Sequence, residues 1–473
     1  MRPDTILMAL ATRMRHLGFA QCLWPVGLAL TLSAQGCIHD ILSVTDPDIV
    51  TEETLRANTA VGAMALHNGT IFRLGQATAG PGTGADPLFL FGGLMTDEWL
   101  SGDTFIQRNT EDQRIFDDKN TFNAPPFRAI NRVRVQAGAT IDALRQYQPS
   151  PATNIARMFA FIAYVEVLAG EHYCNGVPLS SFVGSAITYG DPLSNDSLFA
   201  LATANADSAI SNLGGVDSAR VQWLAQVVKG RALLDRGQFA AASTAVASVP
   251  DTFHYDLTYS VVAGDNQLWA LNASARRYTV GNGDGGGLNF IGARKDPRIR
   301  TKTGPDRIFD TAFNLQVTRQ GTWDRTTAVK VATGVEARLI EAEAALKAST
   351  PDYITWLARL NQLRRNTQLY PPAPADTSYK PVAGTVLADT TDPGTDPARV
   401  DLTFRERAFW MFGTGHRLGD MRRLLRQYGR TENTVYPHGA WFKGGNFGDA
   451  IQMPIPFDEQ NNPKFLRCAD RLP

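Results

Sequence analysis

The stretch TFRERAFWMFGTGHRLGDMRRLLRQ, residues 403–427, decides the fold class. Ala408, Phe409 and Phe412 lie three and four apart, on one face of a helix. Gly413 and Gly415 suit the left-handed turn that closes such a helix. Leu418, Met421, Leu424 and Leu425 restart a helical stripe. Arg422, Arg423 and Arg426 fall in its last turns, where cations complement the helix dipole. His416 has no second histidine at ligand spacing, and no nucleophile stands beside it. The stretch reads as two helices meeting at glycines, a scaffold rather than a chemical site.

The same period recurs outward from it. Val335, Leu339, Ala342 and Leu346 mark one helix. Tyr353, Leu357, Leu360 and Leu363 mark the next, after Pro351 at a helix start. Upstream, Phe127, Ile130, Ala137, Ile141 and Leu144 form a stripe. Ile155, Met158, Phe159, Ile162, Val165 and Leu168 fill a helix that is apolar almost all round and therefore central. Gly237 followed by Phe239 and three alanines resembles the turn of a tetratricopeptide helix pair. Thr51, Glu52 and Glu53 carry a helix-start signal. The pattern predicts a mainly α protein, with a scaffold of helix pairs over about 51–250 and 333–430. Two stretches break it, a loop-rich region over about 251–332 and an irregular segment over about 371–399. Loops of this length in a folded protein carry interaction surfaces.

The chain has 473 residues, 44% of them hydrophobic, with 46 basic and 46 acidic side chains. Zero formal charge argues against nucleic acid as a partner and predicts a neutral ligand such as a sugar or peptide. At the N-terminus Arg13 and Arg15 precede an apolar run over 17–32, a secretory signal that ends before Cys37. Residues 1–36 are therefore predicted to be a signal peptide, with either Met1 or Met14 as the start. Ser33, Ala34, Gln35 and Gly36 before Cys37 are similar to a bacterial lipoprotein cleavage site, although Ala34 stands where Leu is usual. Lipid on Cys37 would anchor the mature protein to a membrane. Cys174 and Cys468 remain, either as a disulfide or as two free thiols; spacing does not decide between them.

Catalytic and cofactor signals are weak. Gly281, Gly283 and Gly286 fit G-x-G-x-x-G, but no helix-opening pattern follows, so a glycine-rich surface loop is the reading. The histidines are scattered without metal spacing. Glu336, Glu341 and Glu343 read as a solvated helix face rather than a carboxylate pair across a cleft. No cofactor and no metal are expected. The aromatics offer more. Trp99, Tyr173, Tyr189, Trp269, Tyr278, Trp323 and Trp441 fall in predicted loops, where a ring either stacks on a sugar's C–H face or pins its loop to the core. Trp99 with its neighbour Asp97, and then Trp269, Tyr278 and Trp323, are the ligand-binding candidates.

Short motifs spread along the chain resemble the SusD/RagB family of outer-membrane nutrient-binding lipoproteins. They begin with Cys37 and Asp46-Pro47, and continue through Asp97-Glu98 and Ala129-Ile130-Asn131-Arg132. The helix Arg157 to Tyr164 leads to a Gly-Val-Pro-Leu loop at 176–179. Leu339 to Ala344 and Leu360 to Arg364 resemble a further helix pair. Arg405-Glu406-Arg407, Gly415-His416-Arg417 and Asp420 match one pattern, and Met453-Pro454-Ile455-Pro456 with Glu459, Asn462 and Pro463 another. Met421 and Leu418 depart from the usual residues. The resemblance implies one SusD-like domain over 37–473, with tetratricopeptide-like pairs presenting a loop-rich ligand face. It implies a binding protein rather than an enzyme, lipid-anchored on the outer membrane and facing outward. Such a protein delivers an oligosaccharide, or alternatively a peptide, to a SusC-like TonB-dependent transporter. A secreted glycan-degrading enzyme is the competing reading. The resemblance also implies that Arg405, Arg417 and Asp420 tie the glycine turn of the opening stretch.

Overall fold

In the computed structural model, residues 59–80, 86–183, 186–292 and 296–473 are described. The α-helices of seven residues or more are α1 (Ala60–Thr78), α2 (Leu88–Leu94), α3 (Ile106–Asp112), α4 (Ala124–Tyr147), α5 (Thr153–His172), α6 (Asn195–Ser211), α7 (Ser218–Asp235) and α8 (Phe239–Val246), followed by α9 (Gly334–Leu346), α10 (Tyr353–Arg365), α11 (Asp396–Trp410) and α12 (Arg417–Tyr428). From α4 to α10 each helix packs on the next, and α1 packs on α4, so neighbours in sequence bury one another's apolar stripes. The α7–α8 turn is the tetratricopeptide-like one. Gly237 has φ +70°, and a Cβ on Gly230 would lie 2.5 Å from Val246 Cγ1. That approach is close enough to exclude any side chain at 230.

α5 is the core helix its composition predicts. It is long and apolar enough to cross a bilayer, yet 83% of its apolar window is buried inside the protein. α9 is buried too, enclosed by α7, α8, α10 and α11. This corrects the reading of Glu336, Glu341 and Glu343 as a solvated face, since all three are buried. Each meets a cation or a histidine instead of water. Glu343 takes Arg423, Glu341 takes Arg359 at 2.7 Å, and Glu336 faces His416 Nε2 at 3.2 Å.

Between α8 and α9 the chain makes a long excursion closed at its base by a ladder. β2 (His254–Leu257) pairs antiparallel with β6 (Val329–Thr333), from Val329 opposite Leu257 to Thr333 opposite His254. Thr333 then caps α9 by accepting from the Glu336 amide at 3.0 Å. Inside the excursion β3 (Tyr278–Val280) pairs with β1 (Trp99–Ser101). β4 (Thr301–Arg307) and β5 (Gln316–Gln320) form a hairpin. Two smaller pairs, Val177–Pro178 with Pro192–Leu193 and Ser181–Val183 with Ala186–Thr188, follow α5. The irregular segment starts at about 371 and ends one turn earlier than its composition suggests, because α11 begins at Asp396 with Pro397 in its first turn. Lys380 exchanges two backbone hydrogen bonds of 2.9 Å with Thr301, which fixes the segment to β4. Cys174 and Cys468 are joined by a disulfide with Cα atoms 5.7 Å apart. The helix start at Thr51 and the lipidation site at Cys37 lie outside the described residues.

Candidate functional site

The opening stretch threads the molecule together through buried charge. Gly413 (φ +68°) and Gly415 (φ +74°) are left-handed, and a Cβ at 415 would lie 2.4 Å from Phe89 Cδ1. The turn they make places Arg417 against Asp97, with two hydrogen bonds of 2.7 Å. Glu98 accepts from the Gly413 amide at 2.9 Å. Asp420 accepts from Arg407 Nε at 2.9 Å and from Arg423 at 2.7 Å. Burial alone would raise the Asp420 pKa, but the two guanidiniums outweigh it and hold the carboxyl well below the usual range. Arg422 donates to the carbonyls of Gly170, Glu171 and Tyr173 at 2.7–3.1 Å, satisfying the C-terminal end of α5. Arg417 and Asp420 thus hold the turn as expected, whereas Arg405 is exposed and rests over the Phe409 ring. Arg407 takes the inward place.

These contacts fix the ligand candidates in the interior. Trp99 is fully buried between Phe412, at 5.1 Å, and Tyr278, at 6.4 Å. Tyr278 is also fully buried and donates its hydroxyl to Asp86 at 2.5 Å. Trp323 covers Gly413, where an added Cβ would come within 2.9 Å of its ring. Asp97 is neutralised by Arg417 and also accepts the Leu288 amide at 2.8 Å. Four of the five candidates therefore pin loops to the core and present nothing to a ligand, a correction that follows from their burial. Trp269 is half-buried. The glycine loop does the same work: Gly281 donates to the Glu98 carbonyl at 2.8 Å and leaves no room for a side chain beside Asp97.

What these anchors position is a patch of other aromatics. Residues 102–105 follow β1, Arg276 and Arg277 lead into β3, and residues 308–313 lie between β4 and β5, with Phe105 and Phe309 exposed among them. Their backbones interlock. The Gly102 amide donates to Arg277 O at 2.9 Å, Asp310 N to Gly102 O at 2.8 Å, and Phe309 N to Arg276 O at 2.9 Å. Phe105 is left 46% exposed and Phe309 39% exposed, with the Arg277 guanidinium 5.1 Å and 4.1 Å from their ring centres. Arg277 in turn pairs with buried Asp103 at 2.6 Å. Burial would raise the Asp103 pKa, but Arg277 and Arg108 keep it below the ordinary carboxylate value. Lys443 closes the far side, 5.5 Å from the Phe313 ring centre and 5.7 Å from that of Phe442. Its ammonium donates to Asp103 O at 2.5 Å and to Asp310 at 3.2 Å.

Sequence reasoning missed Phe105 and Phe309 because it weighed only Trp and Tyr as platforms. Their signal is a lone aromatic in a polar turn, Gly-Asp-Thr-Phe at 102–105 and Phe-Asp-Thr at 309–311. Both patch carboxylates, Asp103 and Asp310, are engaged by cations. The arrangement offers partly open rings and charged hydrogen-bonding groups, which suit binding.

No protein-family model and no curated protein matches the sequence. Solved structures do. A SusD superfamily protein from Parabacteroides distasonis aligns over 86% of this chain and 98% of its own, with TM-score 0.61 at 13% identity. The fold is that of the SusD superfamily. Surface glycan-binding protein A from Bacteroides uniformis shares the SusD fold over 86% of this chain and 99% of its own, with TM-score 0.60 and 13% identity. A SusD-like carbohydrate binding protein from Bacteroides vulgatus is similar over 77% and 83%, with TM-score 0.55 and 13% identity.

Proposed function

We propose that this SusD-fold chain is a carbohydrate-binding protein that captures an oligosaccharide at the Phe105–Phe309 patch. The observation that carries the reading is the pair of partly exposed rings, fixed by interlocked backbone and flanked by Arg277 and Lys443. An aromatic face accepts the C–H face of a sugar ring, and charged side chains beside it hydrogen-bond the hydroxyls. Two solved structures of the same fold carry glycan- or carbohydrate-binding names, which supports the ligand class. The pairing of both patch carboxylates with cations supports binding without turnover. Half-buried Trp269 is a further candidate contact. The N-terminal signal and Cys37 support export and lipid anchoring on the outer membrane, facing outward, with a SusC-like TonB-dependent transporter as the receiving partner.

An array of oligosaccharides and peptides probed with the purified protein tests the ligand class. Binding of a glycan without its cleavage is the expected result; cleavage, or binding to peptides alone, overturns it. Copurification from outer membranes tests the transporter.

A further inference from the structure

The net charge of the chain is zero, but the charge at the patch is not balanced. Arg276 and Arg307 flank the exposed Phe309. The Arg276 carbonyl accepts the Phe309 amide at 2.9 Å, and Arg276 Nη1 donates to the Arg307 carbonyl at 3.2 Å. Arg276 is thereby laid along residues 307–309. Neither guanidinium forms an ion pair among the described residues. The carboxylate that feels Arg276, Asp306, is already engaged by Arg319 at 2.6 Å. The neighbouring cations are spent in the same way, Arg277 on Asp103, Lys443 on Asp310 and Lys302 on Asp376.

Backbone geometry adds a second observation. Arg276 is one of four non-glycine residues with positive φ among the described residues, at φ +58°. Non-glycine residues occupy that region at a cost and collect at functional sites. Gly102 is packed under it so tightly that a Cβ there would lie 2.7 Å from the Arg276 carbonyl. The interlocked backbone holds an arginine in a costly conformation beside an open aromatic ring, with no carboxylate of its own.

We infer that the patch selects an acidic oligosaccharide, one sugar face resting on Phe309 while Arg276 and Arg307 take a carboxylate or sulfate of the same or the next residue. This rests on the carbohydrate-binding reading and narrows it, replacing the neutral ligand that the overall charge suggests. Guanidinium suits either anion, because its planar fork meets two oxygens at once.

Titration calorimetry of the full-length protein tests it, with three oligosaccharides of equal length: a neutral galactan, a galacturonan and a sulfated glycosaminoglycan. At low salt at least one acidic oligosaccharide should bind about tenfold more tightly than the neutral one. The advantage should shrink as salt is raised. It should vanish in the Arg276→Gln/Arg307→Gln variant, which should bind acidic and neutral oligosaccharides alike. Arg307→Gln alone serves as a second variant, since that side chain makes no hydrogen bond or ion pair among the described residues, and it should lose part of the advantage. Equal or tighter binding of the neutral oligosaccharide overturns the inference and leaves the carbohydrate reading standing, as does an acidic preference that both variants retain. Failure of all three sugars, or binding of poly-glutamate in their place, overturns both.

Discussion

Asp420 sits where the guanidiniums of Arg407 and Arg423 meet, all three buried. Asp420→Ala leaves two buried cations short of a partner and should cost about 3–5 kcal/mol of stability, measured by denaturant unfolding, without changing ligand affinity of the folded protein. Because its folded pKa is depressed, the stabilisation it gives is present above the unfolded value of about 3.9 and is lost as pH falls through the lower folded value. Glu98 behaves oppositely. Burial pushes its pKa up to about 8, against a smaller opposing effect of the Gly413 amide. Its contribution is full below the unfolded value of about 4.3 and is lost as pH rises toward about 8. Glu98→Gln should therefore flatten the decline of stability between mildly acidic and mildly alkaline pH. A thermal-unfolding series across that window checks it, and an unchanged slope would show that Glu98 is ionised in the fold.

Elements were legible in the sequence to the extent that their residues repeat with a period. The stripes at 127–144, 155–168 and 335–346 return as α4, α5 and α9. Gly413 and Gly415 end one helix and admit the next as their spacing predicts. Periodicity does not reveal what covers the polar side of a helix. Glu336, Glu341 and Glu343 look solvated because carboxylates usually are, and they are buried because His416, Arg359 and Arg423 reach them from other segments. The site was less legible for the same reason. Trp99 and Phe105 both stand in non-periodic sequence, and only tertiary structure separates them: Trp99 lies in the β1–β3 ladder and is buried, while Phe105 lies beyond it and is exposed. At this scale the turn itself can be tested. Gly415→Ala combines a left-handed backbone with a clash against Phe89, and should cost about 2–4 kcal/mol in denaturant unfolding.

At the scale of the whole molecule, one covalent link among the described residues joins distant parts of the chain. The Cys174–Cys468 disulfide spans 294 positions and ties the C-terminal tail to the loop after α5. Its reduction, or Cys174→Ser with Cys468→Ser, should cost about 2–5 kcal/mol, read as a lower unfolding midpoint. An unchanged midpoint would show that the tail is held by its other contacts, such as the Ala469 amide on the Asn175 carbonyl. The larger division is between a charge-laced helical scaffold and the surface it presents: Trp99, Tyr278 and Trp323 hold the interior so that Phe105 and Phe309 stand open. The most direct test is calorimetric titration of the protein and of Phe105→Ala/Phe309→Ala with the oligosaccharide it binds best. The double variant should keep its unfolding midpoint, because both rings are partly exposed, and lose affinity by about tenfold or more. Undiminished affinity in a folded double variant would contradict the assignment of the patch as the ligand site.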